Sequence, residues 1–198
     1  MFVYHGSWCV ENNKDASTPA DIVGKNYAYP MLTNDLGNGF YTYIDDEKGT
    51  DGKPLFGKAS ENAVKFAKAY RRKRSCDPVS LYKCELFETG FVIMDMDAEQ
   101  FQKLFIRNKI SFQKLVDLEY EQVSEKKRTS THGSRKNLDG LLIELLIQRK
   151  ILPDVDVIKK STYTAFRKNT LSNFPNGEEF VIRKPETVIK QHTVNKIY

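Results

Sequence analysis

GNGFYTYI, at residues 37–44, is the clearest strand signal in the chain. Its two glycines flank Asn38 and favour a tight turn, and the five residues that follow are aromatic or β-branched, which is typical of a strand. Further β-prone runs lie at residues 2–4, 80–86, 91–95, 155–158 and 180–183, and the tail through Tyr198 is weakly β-prone. The chain is therefore predicted to build a sheet from short strands.

Helical patterns separate these strands. Ser60 is a predicted N-cap, and apolar residues within positions 63–70 follow it at helical spacing. Residues 97–126 and 138–151 carry further apolar stripes and predict two more helical segments. Residues 11–38 are rich in Asn, Asp, Gly, Pro, Ser and Thr, which predicts a loop with one short helical turn.

The order of these elements predicts the fold class. Short strands with helices inserted between them indicate an α+β fold with a curved, mostly antiparallel sheet. A length of 198 residues fits one domain, with a core large enough to fold without disulfides or metals. We expect a single domain over residues 1–198, with a helical insertion at about residues 97–150.

Charge, cysteine content and hydrophobicity limit the partners and the compartment that the protein can have. The net charge of +5 is mild, so an anionic partner is permitted but not required. The three cysteines, Cys9, Cys76 and Cys84, leave one unpaired in any disulfide scheme, which predicts a reducing compartment. No apolar run approaches the roughly 20 residues of a membrane helix, and the N-terminus does not resemble a secretion signal. The expected location is the cytoplasm, or a target cell's cytoplasm reached by a route without a signal.

The common catalytic motifs are absent from the sequence. It contains no Walker loop, GxGxxG, HExxH or GxSxG. The histidines, His5, His132 and His192, are far apart, so no metal site is predicted. Basic runs at residues 71–74 and 126–136 fit either an anionic target or a helix end and a solvated loop.

Three short segments remain as candidates for chemistry. They are YHGS at residues 4–7, GNGFYT at residues 37–42 with AxxFA at residues 63–67, and GEEFVI at residues 177–182. Each has an ordinary structural explanation: a strand-end turn, a tight connection into a strand with a helix face, and a solvated strand edge. Their order along the chain is more informative than any one of them.

In this order the segments resemble the ADP-ribosyltransferase superfamily, in the branch with a His, Tyr, Glu signature. Diphtheria toxin and the poly(ADP-ribose) polymerases share that signature, and small bacterial proteins of the branch carry segments that look more similar. The resemblance implies a split β-sandwich, in which two mostly antiparallel sheets face each other and NAD lies in the cleft between them. It implies no metal cofactor.

The resemblance also implies roles for the first two segments. His5 would bind the adenosine-side ribose, and the backbone of Gly6, followed by Ser7, would pair with the nicotinamide carboxamide. Tyr41 would stack on the nicotinamide ring, whose positive charge favours an aromatic face. Ser60 and Phe66 would supply a second carboxamide contact and a second ring wall.

The third segment would carry the catalytic carboxylate. Glu178 and Glu179 are adjacent, so in a strand their side chains point to opposite faces and one of them faces the cleft. We choose Glu179, because it directly precedes the aromatic and aliphatic run, as the family's glutamate does. The Arg, Ser, Glu-x-Glu branch is disfavoured, since its first acidic position would fall on Gly177.

The expected activity is mono-ADP-ribosylation of a macromolecule, with protein slightly favoured over RNA or DNA. The similar bacterial proteins suggest a toxin or effector role, and an antitoxin or immunity protein as a further partner. NAD glycohydrolysis is the alternative with the same fold. A catalytically silent module that binds NAD or ADP-ribose, and a basic nucleic-acid-binding protein, are alternatives from other classes.

Overall fold

A computed structural model describes residues 1–7, 18–28, 36–45, 58–70, 78–126, 139–162 and 177–198. These residues form seven strands and five helices. In chain order they are β1 (Phe2–Ser7), α1 (Pro19–Ala28), β2 (Phe40–Ile44), α2 (Ala59–Tyr70), β3 (Val79–Leu86), β4 (Ile93–Asp95), α3 (Glu99–Lys126), α4 (Asp139–Gln148), β5 (Val157–Thr162), β6 (Gly177–Ile182), α5 (Pro185–Val188) and β7 (Ile189–Ile197).

The seven strands lie in one sheet, in the order β4-β5-β6-β2-β1-β3-β7. Neighbouring strands are antiparallel except β4 and β5, which are parallel. The α+β class and the mostly antiparallel sheet are therefore confirmed. The two separate facing sheets implied by the family resemblance are not seen among the described residues, because β1 and β2 join the two halves of the sheet.

The junction between β1 and β2 has the fewest paired residues of any two neighbouring strands in the sheet. β1 pairs with β3 at six positions, from Phe2 opposite Glu85 to Ser7 opposite Ser80. β1 pairs with β2 at two positions only, Val3 opposite Ile44 and Tyr4 opposite Tyr43. Beyond Tyr4 no ladder joins the two strands within the described residues, and we call this part of the β1–β2 junction the seam.

Helices cover both faces of the sheet. On one face, called the Phe40 face, Phe40, Phe180 and Ile182 pack with Val23 of α1 and Val188 of α5. On the other, called the Tyr41 face, an apolar cluster joins the sheet to α3 and α4. Its buried members from these elements are Met94, Ile158, Val181, Val116, Leu142, Ile143, Leu145 and Leu146. The expected helical insertion thus contributes Val116 of α3 and four residues of α4 to the core on this face.

Several element boundaries differ from the predicted ones. α2 begins at Ala59, whose N–H donates to the Asp45 carboxylate, so the expected cap at Ser60 is wrong: Ser60 lies inside the first turn, and Asp45 is the capping group. β5 runs through residue 162, and the weakly β-prone tail forms the nine-residue β7. The basic residues 71–74 and 127–136, Cys9, Cys76 and His132 lie outside the described residues.

Among the described helices, none combines the length and apolar character needed to cross a membrane.

Candidate active site

The fold brings the three candidate segments together on adjacent strands. His5 and Gly6 lie on β1, Tyr41 on β2 and Glu179 on β6, and these are three consecutive strands of the sheet. Tyr41 stands opposite Val181, and Tyr43 stands opposite Glu179. Adjacent strands are about 4.8 Å apart, so His5 and Glu179 are about 10 Å apart across β2. Residues 174 positions apart in the chain thus frame one small region.

His5 bridges the seam. Its ring lies on the Phe40 face, with its centroid 4.5 Å from that of Phe40 and 5.5 Å from that of Tyr82. His5 Nδ1 lies 2.6 Å from the Tyr41 carbonyl oxygen. A carbonyl only accepts hydrogen bonds, so Nδ1 carries the proton and Nε2 is an acceptor in the neutral ring. Burial lowers the pKa of His5 to about 4, against the opposing effect of the Tyr41 bond, so the ring is neutral at pH 7.

The backbone of Gly6 points into the seam. Backbone groups along a strand alternate between its two neighbours. The Met1 carbonyl accepts from the Leu86 N–H on β3 at 3.0 Å, so odd-numbered residues of β1 face β3, and Tyr4 and Gly6 face β2. The Tyr4–Tyr43 pair uses the first of these, whereas Gly6 lies beyond the last position paired with β2 in the described residues. Its N–H and C=O are therefore suited to a polar group placed in the seam.

The absence of a side chain at Gly6 has a packing reason. A Cβ atom there would lie 1.9 Å from the carbonyl oxygen of Ala63 on α2 and 2.9 Å from the Cβ of Ala67. The helix thus rests directly on β1, and its Ala-x-x-Phe-Ala face is the surface that allows this approach. The sequence predicted that Gly6 allows a ligand to approach closely. In the structure the group that approaches the Cα of Gly6 closely is helix α2.

Tyr41 is fixed by its hydroxyl group. The hydroxyl donates to the Gly37 carbonyl oxygen at 2.7 Å and accepts from the Leu36 N–H at 2.9 Å. Gly37 has a φ of 82°, a conformation that glycine adopts without strain. The tight turn predicted before β2 therefore anchors the ring of the residue expected to stack on nicotinamide.

The two glutamates occupy different environments on opposite faces. Glu178 is 3% exposed on the Phe40 face, and its Oε1 lies 2.5 Å from Nζ of Lys159, although neither oxygen makes a well-directed hydrogen bond in the described residues. Glu179 is half-buried on the Tyr41 face, beside Tyr43 on β2 and Lys160 on β5. Glu179 thus shares its face with Tyr41, and Glu178 shares its face with His5.

The remaining predicted site residues lie around this region. The Phe66 ring lies edge-on to Tyr43, with ring centroids 6.4 Å apart, so it belongs to the Tyr41 face beside Glu179. Ser60 is half-buried in the first turn of α2, and Ser7 is half-buried opposite Ser80 on β3. The structure groups Gly6, Tyr41, Phe66 and Glu179 on the Tyr41 side, whereas His5 and Ser7 project from the other face.

Sequence patterns did not indicate a buried ion pair that supports the turn before β2. Arg183, directly after β6, contacts Glu144 of α4 through Nη1 to Oε1 at 2.5 Å and Nη2 to Oε2 at 3.1 Å. Glu144 Oε1 also accepts from the Asn38 N–H at 2.6 Å, and Arg183 Nη1 donates to the Asn38 carbonyl at 3.2 Å. Helix α4 therefore holds the turn that positions Tyr41. No signal in the sequence links two residues 39 positions apart in this way.

No group of three or more His, Cys, Asp or Glu side chains within the described ranges is arranged to hold a metal ion. Comparisons of the chain with protein-family models, with curated proteins and with solved structures found no match.

Proposed function

We propose that the chain is an NAD-dependent mono-ADP-ribosyltransferase whose nicotinamide site is the seam between β1 and β2. The observation that carries the proposal is the arrangement at the seam, where the backbone of Gly6 faces β2 beside the His5–Tyr41 bond. Glu179 lies on β6, the neighbour of β2 on the side away from β1. The sequence resemblance supplies the candidate chemistry, and the convergence of its three segments supports it.

A carboxamide complements the polar groups of Gly6. The Gly6 N–H would donate to the carboxamide oxygen, and the Gly6 C=O would accept from the carboxamide nitrogen, as a neighbouring strand does. Nicotinamide in NAD carries a positive charge on its ring, and the Tyr41 ring, held by two hydrogen bonds, offers an aromatic surface to it. The rigid anchoring of Tyr41 reduces the entropy lost on binding.

A ligand lying in the seam would be close to side chains from both faces of the sheet. The Nε2 atom of neutral His5 would accept a hydrogen bond from a ribose hydroxyl on the Phe40 face. Glu179 would approach the nicotinamide ribose from the Tyr41 face. Glu178 is the weaker candidate, because it is almost fully buried and already paired with Lys159.

The reaction follows from these positions. The bond between ribose C1′ and the nicotinamide nitrogen breaks, and its electron pair leaves with neutral nicotinamide. Positive charge develops on the ribose, and a nearby Glu179 carboxylate would stabilise it, as carboxylates do in glycoside hydrolysis. The acceptor's nucleophilic atom then forms the new bond to C1′, and the acceptor is proposed to be a protein.

The proposal is tested by nicotinamide release from NAD, with wild type compared with Glu179→Gln and with Glu178→Gln as the matched control. Release should fall at least 100-fold in Glu179→Gln, while NAD binding measured by calorimetry should persist, because the carboxylate acts mainly in the transition state. Equal release by Glu179→Gln and wild type would remove Glu179 from the mechanism.

Adding a cell lysate separates transfer from hydrolysis. Release that requires lysate indicates a macromolecular acceptor, and release of equal rate without it indicates NAD glycohydrolysis. Wild type that neither binds NAD nor releases nicotinamide under either condition would contradict the proposed function.

A further inference from the structure

Strand β7 forms a long open edge of the sheet. It has nine residues and pairs with β3, and among the described residues no strand lies on its other side. The strand at the opposite edge, β4, has only three residues. The side chains of residues 190–196 are all exposed. A long edge of this kind presents backbone N–H and C=O groups with which another strand can pair.

The β1–β3 pairing shows which residues of β7 face outward. The Leu86 N–H donates to β1, so even-numbered residues of β3 face β1 and odd-numbered ones face β7. Thr193 stands opposite Lys83, so odd-numbered residues of β7 face β3. Even-numbered residues therefore present their backbone groups on the open side of the sheet. Past the irregularity at the start of β7, the outward-facing residues of the strand are His192, Val194 and Lys196.

The middle of this edge carries little that would prevent pairing. Natural edges are protected by prolines, by lysines and by bulges. β7 contains no proline, and residues 191–195 include no lysine, arginine or carboxylate. The register shift lies at the start of the strand, opposite Glu85 and Leu86. At that end Lys190 Nζ lies 3.1 Å from Glu85 Oε1, so its charge is paired within the sheet.

We propose that β7 pairs antiparallel with β7 of a second copy of the chain, across a two-fold axis at Val194. In a two-fold contact, residues at equal distances from the axis lie opposite each other. With the axis at Val194, Val194 lies opposite the partner's Val194, and His192 lies opposite the partner's Lys196. All three outward-facing residues then pair with one another, which allows up to about six backbone hydrogen bonds.

The side chains favour this register and this occupant. Val194 is 36% exposed, and pairing would cover it with its own equivalent. An axis at Thr193 would instead set Lys190 opposite the partner's Lys196, and like charges in that position are destabilising. A foreign acidic strand is matched less well, because Lys190 already has Glu85 as its partner.

The paired form would leave the candidate site open. Strands β3 and β1 separate β7 from the seam, so the two sheets would join at the edge distant from it. The inference is therefore independent of the proposed function, and it predicts one continuous sheet that runs through both copies.

The experiment is sedimentation equilibrium of the full chain from about 5 to about 500 µM, because a single strand pair buries less than about 1,200 Å² and such contacts are weak. Wild type should show a monomer–dimer equilibrium. Val194→Lys and Val194→Glu should each weaken the dimer at least 10-fold, because like charges then meet at the axis. An equimolar mixture of these two variants should restore it, because a lysine then faces a glutamate.

The matched control is Gln113→Lys, which adds the same charge at an exposed position of α3 and should leave the dimer unchanged. Wild type that stays monomeric at about 500 µM would overturn the proposal. A dimer that the Val194 variants do not weaken, or a mixture that associates no better than either variant alone, would also overturn it.

Hydrogen exchange of wild type, followed by NMR, tests the same pairing without a variant. The N–H of Thr193 faces β3 and should exchange slowly at every concentration. The N–H of Val194 should exchange at least 10-fold more slowly at about 500 µM than at about 50 µM. Equal exchange at Val194 under both conditions would overturn the proposal. Protection of Val194 only by an added extended peptide, with wild type monomeric, would assign the edge to a foreign strand and overturn the second copy.

Discussion

Removing the charge of Glu144 should destabilise the protein strongly, because it leaves the Arg183 guanidinium buried without its counterion. The two side chains are 14% and 5% exposed, and they meet through two contacts, at 2.5 and 3.1 Å. Breaking a buried ion pair by neutralising one partner costs about 3–5 kcal/mol. Glu144→Gln keeps the size of the side chain, so the loss is expected to come from the charge and its hydrogen bonds to Asn38 and Arg183.

The assay is urea unfolding followed by circular dichroism. With an m-value of about 2 kcal/mol/M, the midpoint of Glu144→Gln should fall by about 1.5–2.5 M. Glu99→Gln is the matched control, since Glu99 pairs with Lys103 on the exposed side of α3, with both side chains at least 75% exposed. Its free energy of unfolding should change by less than about 1 kcal/mol.

A double variant, Glu144→Leu with Arg183→Met, separates the buried charge from the packing around it. It should recover much of the stability lost in Glu144→Gln, because neither charge is then left buried alone. A loss below about 1 kcal/mol in Glu144→Gln would refute the claim that this pair holds the turn before β2.

Four further predictions concern β1, β3 and two glycines in contrasting environments. Gly6→Ala should lower the free energy of unfolding by about 1–3 kcal/mol in urea titrations, because its Cβ would clash with Ala63. Gly24→Ala, in α1 with nothing within 4 Å, should instead raise it by up to about 1 kcal/mol. The free energy of unfolding should fall by about 3 kcal/mol as the pH drops from about 6.5 to about 4, because His5 binds a proton more readily in the unfolded chain than in the folded one. The His5→Gln variant should lack this pH-dependent loss. Burial raises the pKa of the Cys84 thiol to about 12, so iodoacetamide should label Cys84 only after unfolding, as peptide mass spectrometry would show.

A different result would contradict each of the predictions for Gly6, His5 and Cys84. An unchanged stability in Gly6→Ala would mean that α2 does not rest on β1 as described. Identical pH profiles for wild type and His5→Gln would mean that the ring is not buried in its neutral form. Rapid labelling of Cys84 in the folded protein would mean that β3 is accessible to solvent at that position.

Local patterns predicted those elements whose stability is encoded in their own residues. The run from Phe40 to Ile44 is aromatic and β-branched throughout, and it forms β2 with the predicted bounds. The helix after Ser60 was found from its small and aromatic face, and that face is what lets α2 approach Gly6. The alternation of side chains along a strand also predicted that Glu178 and Glu179 would lie on opposite faces of the sheet.

Features that depend on distant partners were not predictable in the same way. The sequence of β7 is mostly polar, and the side chains of residues 190–196 are exposed, so its strand conformation comes from pairing with β3 along its length. The Glu144–Arg183 pair depends on where α4 meets the residue that follows β6. The seam likewise arises from where β1 and β2 stop pairing, which no single strand encodes.

The most direct test of the account is where NAD binds. In two-dimensional ¹⁵N NMR of the Glu179→Gln variant, which should bind NAD without cleaving it, titration with NAD should shift the backbone amide signals of Gly6 and Tyr41 most. The amide of Thr193, on the distant edge strand β7, should stay unchanged. Saturable shifts at Gly6 and Tyr41 would support the seam as the nicotinamide site. Shifts confined to other residues, or no shifts at millimolar NAD, would contradict it.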